Sequence, residues 1–143
     1  MLEVYRAAAD LRRKFEKRGW RFCLIGGLAL QRWGEPRETN DVDVTLLTGF
    51  GGEESFVQEI LTWYEPRVSN PIEFALSTRV LLVQAPSGVG LDIALGGMPF
   101  EESTVARATL YEFAPDIYLP TASAEDLIVM KAFASRPKDW VDL

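Results

Sequence analysis

The chain contains no histidine and a single cysteine, Cys23. Without imidazole there is no Ser–His or Cys–His nucleophilic pair and no zinc site built on histidine, so acid–base or metal chemistry falls to carboxylates and lysine. One thiol cannot form an internal disulfide, which suits a reducing compartment. Cys23 lies in the apolar run RFCLIGG and reads as a small buried residue. No apolar run approaches the roughly 20 residues of a membrane-spanning helix. The N-terminal segment MLEVYRAAADLRRKFEKRG scatters its charges instead of placing a basic stretch before an apolar one, so it is not a secretory signal. A cytoplasmic protein with no membrane partner is expected. Positive charge is also in deficit: 15 Lys and Arg against 21 Asp and Glu leave a net charge of -6. That balance argues against a broad phosphate-binding surface and leaves room for a local basic cleft.

What is present suits one soluble domain over residues 1–143, with no repeat, low-complexity tract or linker to divide it. Residues 2–18 place Leu2, Tyr5, Ala8 or Ala9, Leu11 or Arg12, and Phe15 near one helical face, and Gly19 follows as a C-terminal cap. RFCLI, Gly26-Gly27 and ALQRW read as strand, tight turn and short helix, and DVDVTLL as the next strand. EESFVQEILTWY predicts a helix. IEFAL, RVLLVQA and LDIAL read as extended, the last two joined through PSGVG into a hairpin. PFEESTVARA opens a further helix, TLYEF and DIYLP are extended, and Ser123 caps a helix through AEDLIVMKAF. Pro137 then starts another helix, KDWVDL, which reads as cut short at the C-terminus. The pattern predicts an α+β fold with a mixed sheet flanked by helices.

The chemistry-bearing residues are aspartates. In a strand, side chains alternate, so Asp41, Asp43 and Thr45 share one face while Val42, Val44 and Leu46 share the other. Two carboxylates at i and i+2 can converge on a divalent cation, and magnesium suits oxygen ligands that also hold substrate phosphates. An isolated D-x-D equally describes a solvated strand edge. Asp92 in GVGLDIALG is the third member, placed opposite the apolar face of Leu91, Ile93 and Leu95 and beside the small residues Ala94 and Gly96. If its strand neighbours that of Asp41 and Asp43, three carboxylates meet. They could then hold two metals for an in-line phosphoryl displacement, with Asp92 also able to accept a proton.

Gly26-Gly27, between strand and helix, lets a phosphate approach backbone N–H groups, though it also describes an ordinary turn. Arg37 and Thr39 immediately precede the aspartates, where a guanidinium could orient phosphate oxygens. Lys131 follows Leu127 and Ile128 by four and three residues and either snorkels from their helix face or points into a cleft.

Taken together, Gly-Gly after a strand, R-x-T-x-D-x-D and a later strand aspartate resemble the nucleotidyltransferase superfamily typified by DNA polymerase beta and the aminoglycoside nucleotidyltransferases. More closely, GGLAL, PRETNDVDV, SAEDLIVMK and RPKDWVDL resemble the AbiEii-type nucleotidyltransferases of bacterial abortive-infection and toxin–antitoxin systems, over roughly residues 20–143. The resemblance implies transfer of a nucleoside monophosphate from a nucleoside triphosphate to an acceptor hydroxyl, with Mg2+, two ions when the triphosphate is bound, or Mn2+ in its place. It implies Asp41, Asp43 and Asp92 as catalytic metal ligands, with Asp92 as ligand or general base. Gly26 and Gly27 would then lie against the triphosphate, with Lys131 and Asp139 also holding nucleotide. Asp142 shares the terminal motif. An antitoxin protein is the implied partner. The acceptor, whether tRNA, protein or small molecule, stays open. Two rival readings share these residues: an inactive nucleotide- or partner-binding module of the same fold, and a metal-dependent phosphohydrolase.

Overall fold

The computed structural model describes residues 1–35 and 39–142, the side chains of 134–142 excepted. Helix α1 (Leu2–Lys17) buries Val4, Ala7, Ala8, Leu11 and Phe15 along one stripe, the 3.6-residue period of a surface helix. It stops at Gly19, whose φ of 72° is left-handed and carries no Cβ penalty in glycine. The chain continues through β1 (Phe22–Ile25), α2 (Gly26–Arg32), β2 (Asp41–Leu47), α3 (Glu53–Leu61) and β3 (Glu65–Pro66). It then forms α4 (Pro71–Thr78), β4 (Val80–Gln84), β5 (Gly90–Gly96), α5 (Pro99–Arg107), β6 (Thr109–Ala114), β7 (Ile117–Thr121) and α6 (Ala124–Asp142). Among the described residues no helix is long and apolar enough to cross a membrane.

Among the described residues seven strands make one mixed sheet in the order β3-β4-β5-β2-β1-β7-β6. β2 runs parallel to β5 and antiparallel to β1, while β1 runs parallel to β7. The expected hairpin of β4 with β5 is present, and β6 also pairs antiparallel with β7. Alternation sorts the central strands cleanly. Phe22 and Leu24 of β1 lie beside Leu46 and Val44 of β2, which lie beside Leu95 and Ile93 of β5. Leu81 and Val83 of β4 extend the same face, and all eight are buried. Phe15 of α1 packs edge-on to Phe22 with ring centres 5.1 Å apart, and Trp20 lies tilted against Phe56 of α3 with ring centres 4.7 Å apart. Truncating one such core side chain to alanine costs about 2–5 kcal/mol.

The opposite face is lined at its middle by Cys23, Thr45 and Ala94, successive partners across β1, β2 and β5. α5 packs on β1 and β2. The absent side chain of Gly96 leaves room for Thr45 and the Glu101 carboxylate of α5, 3.0 and 3.3 Å from where a Cβ would stand. Cys23 is fully buried there and its thiol is pushed up to about 12, first by burial and then by the charge of Asp126. This is the inert, packed cysteine that the sequence predicts.

Three local expectations change. IEFAL is helical, as part of α4, not extended. Ile72, Phe74 and Leu76 alternate like a strand, yet Leu76 is 42% exposed, and Pro71 at the first turn pre-sets the helical φ. Arg79 ends α4 at a left-handed φ of 63°, held there by bonds from its guanidinium to Glu53 and the Leu95 carbonyl, both 2.6 Å. The segments expected as two helices about Pro137 form the single backbone helix α6. Finally, α2 begins at Gly26 itself, with Ile25 as its cap, so the glycine pair is the first turn of the helix and not a separate turn before it. The Ser123 cap is as expected: its hydroxyl accepts the Asp126 N–H at 3.2 Å.

Candidate active site

Parallel pairing of β2 and β5 sets Asp43 beside Asp92, and Asp41 beside Gly90. The row continues outward, since Asp92 lies across from Leu82 of β4 and the Leu82 carbonyl accepts the Arg67 N–H at 3.0 Å. On the other side, Ile25 pairs with Asp43, and Gly26 follows directly. One line across the sheet therefore reads Arg67, Leu82, Asp92, Asp43, Ile25, with the glycine turn at one end and an arginine at the other.

The glycines on this face are spaces for carboxylates. A Cβ at Gly26, whose φ is 64°, would overlap Asp43 Oδ2 and stand 3.0 Å from its Cγ. A Cβ at Gly90 would stand 2.5 Å from Asp41 Oδ1 and 2.8 Å from an Arg67 guanidinium nitrogen. One at Gly27 would stand 3.1 Å from the Cβ of Thr39, whose hydroxyl donates to the Asp41 carbonyl at 3.0 Å. Gly26, Gly27, Thr39, Asp41, Asp43 and Asp92 are thus brought together. Leu28, after the glycine pair, is fully buried and serves the core.

Asp43 is the strained member. Burial first, then the Asp92 charge and a hydrogen bond with that carboxyl, then the Asp41 charge, push its carboxyl up to about 7, against a smaller lowering by Arg67. Arg67 forms an ion pair with Asp92 Oδ1; the two side chains are 26% and 30% exposed. Nothing in WYEPRVSNP announces this role, because it depends on β3 bringing Arg67 in line with Leu82, and a two-residue strand has too little period to recognise.

Lys131 is exposed on α6, and the apolar pair it follows is split: Leu127 is buried while Ile128 is 68% exposed. Arg37 and the side chains of Asp139 and Asp142 lie outside the described residues. Four surface hollows of about 360 to 470 Å3 are lined by none of the three aspartates, so the carboxylate row is a feature of the sheet surface and not of these cavities.

Among the described residues no ready-made group of three or more acidic, histidine or cysteine side chains is spaced to hold a metal. The donor chemistry fits a hard cation all the same. Asp41, Asp43 and Asp92 supply only oxygen, and the upward push on Asp43, first from burial and then from its neighbours, includes a repulsion by Asp92 and Asp41 that a divalent ion between the carboxylates would relieve.

Two of the solved structures that share this fold are informative. One is an antigenic nucleotidyltransferase-like protein from Paracoccidioides brasiliensis, with a TM-score of 0.61 and 14% identity over 93% of this chain and 66% of that one. This chain therefore spans just under two thirds of that protein's length. The other is the lincosamide antibiotic adenylyltransferase LnuA with lincomycin bound, with a TM-score of 0.56 and 16% identity over 83% of this chain and 80% of that one. No curated protein matches by sequence. The family model described as nucleotidyl transferase AbiEii toxin, type IV TA system, matches residues 10–143, a span that takes in the glycine turn, the three aspartates and Lys131; the chain belongs to this family of nucleotidyltransferases.

Proposed function

We propose that the chain transfers a nucleoside monophosphate from a nucleoside triphosphate to an acceptor hydroxyl, with magnesium held by Asp41, Asp43 and Asp92. The observation that carries this reading is the register of β2 on β5, which lines up Asp43 with Asp92 and puts Asp41 on the same face. When bound, Mg2+ supplies neutralisation of phosphate charge during an in-line displacement. The protein's own part is to position. Gly26 and Gly27 let Asp43 and Thr39 pack against the start of α2, where a side chain at either would meet them, and in this reading the triphosphate lies against the backbone there. Thr39 fixes the entry to β2 through the Asp41 carbonyl. Lys131, Arg37 and Asp139 complete the nucleotide contacts in this reading.

In the reaction the acceptor oxygen bonds to the α-phosphorus, its proton passes to Asp92, and the bond to the bridging oxygen breaks so that pyrophosphate leaves. With no histidine in the chain, this reading gives the proton to a carboxylate. The LnuA structure holds lincomycin, a small molecule, whereas the family description names a toxin; neither fixes the acceptor of this chain. A protein antitoxin as partner follows from the type IV description and is part of the same proposal.

The test is incubation with each α-labelled nucleoside triphosphate, Mg2+ and a panel of tRNA, protein and small hydroxyl acceptors, comparing wild type with Asp43→Ala. Label on an acceptor, lost in the variant, is the expected result. Nucleotide binding without label transfer on any acceptor points to a binding module. Hydrolysis to free phosphate, with no labelled acceptor, points to a phosphohydrolase.

A further inference from the structure

Arg67 reaches the carboxylates from outside the elements that carry them. Its backbone is tied to Leu82 at the edge of the sheet, and its side chain crosses β4 to pair with Asp92. It does so beside Gly90, where a Cβ would stand 2.8 Å from the guanidinium and 2.5 Å from Asp41 Oδ1. The guanidinium therefore occupies a place among three carboxylates where a cation is needed, at the opposite end from the glycine turn.

We propose that Arg67 is a nucleotide-binding residue that neutralises Asp92 whenever no divalent cation is bound. On arrival of the metal–nucleotide it releases Asp92 and pairs with phosphate oxygens of the triphosphate. The physical basis is competition for one anion. A divalent ion bound to Asp92 removes the attraction that holds the guanidinium, and the planar fork of arginine matches phosphate as well as carboxylate. With the side chain already one quarter exposed, the exchange needs a rotation of the side chain and no rearrangement of the backbone bond to Leu82. The glycine turn and Arg67 would then grip the phosphate chain from its two ends. This inference rests on the nucleotidyl-transfer reading above.

The signature is a pair of effects of opposite sign, which a merely structural arginine does not produce. In Arg67→Met, Mn2+ alone should bind about tenfold more tightly, because its competitor is gone. Each Mg2+–triphosphate that binds the wild type should bind about tenfold more weakly, the scale of one lost charge-assisted hydrogen bond. Arg67→Lys keeps the charge without the fork and should fall between the two on both measurements, and it carries the test if the methionine variant fails to fold. Titration calorimetry of the full chain with Mn2+, and with ATP, CTP, GTP and UTP in Mg2+, reads both quantities without turnover. Equal shifts in the same direction, or unchanged triphosphate affinity in a folded variant, overturn the role of Arg67 and leave the nucleotidyl-transfer reading intact. A wild type that binds none of the four triphosphates overturns both.

Discussion

The two faces of β2 and β5 are built from the same residues in alternation and obey opposite rules. On one face Val42, Val44, Leu46, Leu91, Ile93 and Leu95 are all at or below 1% exposure, and each pairs with an equally apolar neighbour. On the other, burial first and then the charges of Asp92 and Asp41 drive Asp43 towards its neutral form. Burial of the first face supplies stability, roughly 0.8 kcal/mol for each buried CH2. The second face consumes some of it, since like charges at short range in a half-buried setting repel. The strands hold an unfavourable cluster in register because their other side is so heavily committed to the core.

Exchanging the demands on the two faces breaks that relation most directly at Asp43. Asp43→Asn keeps the shape and removes the charge, so nucleotidyl transfer should fall about 100- to 1,000-fold, the usual loss when one electrostatic contact to the reacting group is removed. Thermal unfolding without metal at pH 8 should at the same time rise or hold steady, because the repulsion with Asp41 and Asp92 is relieved. Radiolabel transfer and a melting curve on the same preparation check both halves. A variant that loses activity and melts lower would mean that Asp43 serves the fold instead.

The converse substitution, one strand position away in the same register, is Ile93→Ala. Fully buried between Val44 and Leu81, Ile93 should cost about 2–5 kcal/mol of stability when truncated, read from urea unfolding. Transfer per folded molecule should stay within about twofold at a temperature well below melting, since its side chain faces away from the carboxylates. Loss of transfer in fully folded protein would show that the two faces are not separable.

How much of this could be read beforehand follows the same division. Alternation in DVDVTLL and LDIAL was sufficient to assign both faces, because a period of two over seven residues has only two registers and the apolar one must be buried. The pairing of those strands was not readable as such: Asp43 beside Asp92 is a tertiary fact, and only the resemblance to a family linked them. The roles of Gly26 and Gly90 were half visible. Gly26 stood out as one of a pair, but its contact with Asp43 depends on the β1–β2 register. Gly90 looked like the end of a hairpin loop. Arg67 was not visible at all, because its position is set by a two-residue edge strand within a stretch rich in turn residues. IEFAL failed for a plainer reason: alternating apolar residues on a short surface helix imitate a strand, and the Asn-Pro before them was the better signal.

The smallest expected effect is also the most specific to the carboxylate face. A carboxyl whose folded-state value is raised to about 7 holds its proton more tightly in the native protein than in the unfolded chain, where aspartate titrates near 3.9. Its contribution is therefore fully present below about pH 4 and is lost as pH rises through about 7. In the metal-free protein stability should fall across that window, with a slope of at most about 1.4 kcal/mol per pH unit for one proton. Asp10, Glu53 and Asp126 are all held below their ordinary values, by Tyr64 and Lys14, by Arg79 and by Arg107 respectively, so their stabilising effect is lost only at still lower pH and does not mimic this one. The groups facing Asp43 are Asp92 and Asp41, which raise it, and Arg67, which lowers it. Urea unfolding from pH 4.5 to 8 should show the decline in wild type and a flatter profile in Asp43→Asn. Added Mg2+ should restore stability at pH 8 more than at pH 5.5, because the ion competes with a proton only at the lower pH. A wild-type profile as flat as that of Asp43→Asn would mean that the carboxylates are not crowded in solution, and with that the contrast between the two faces would disappear.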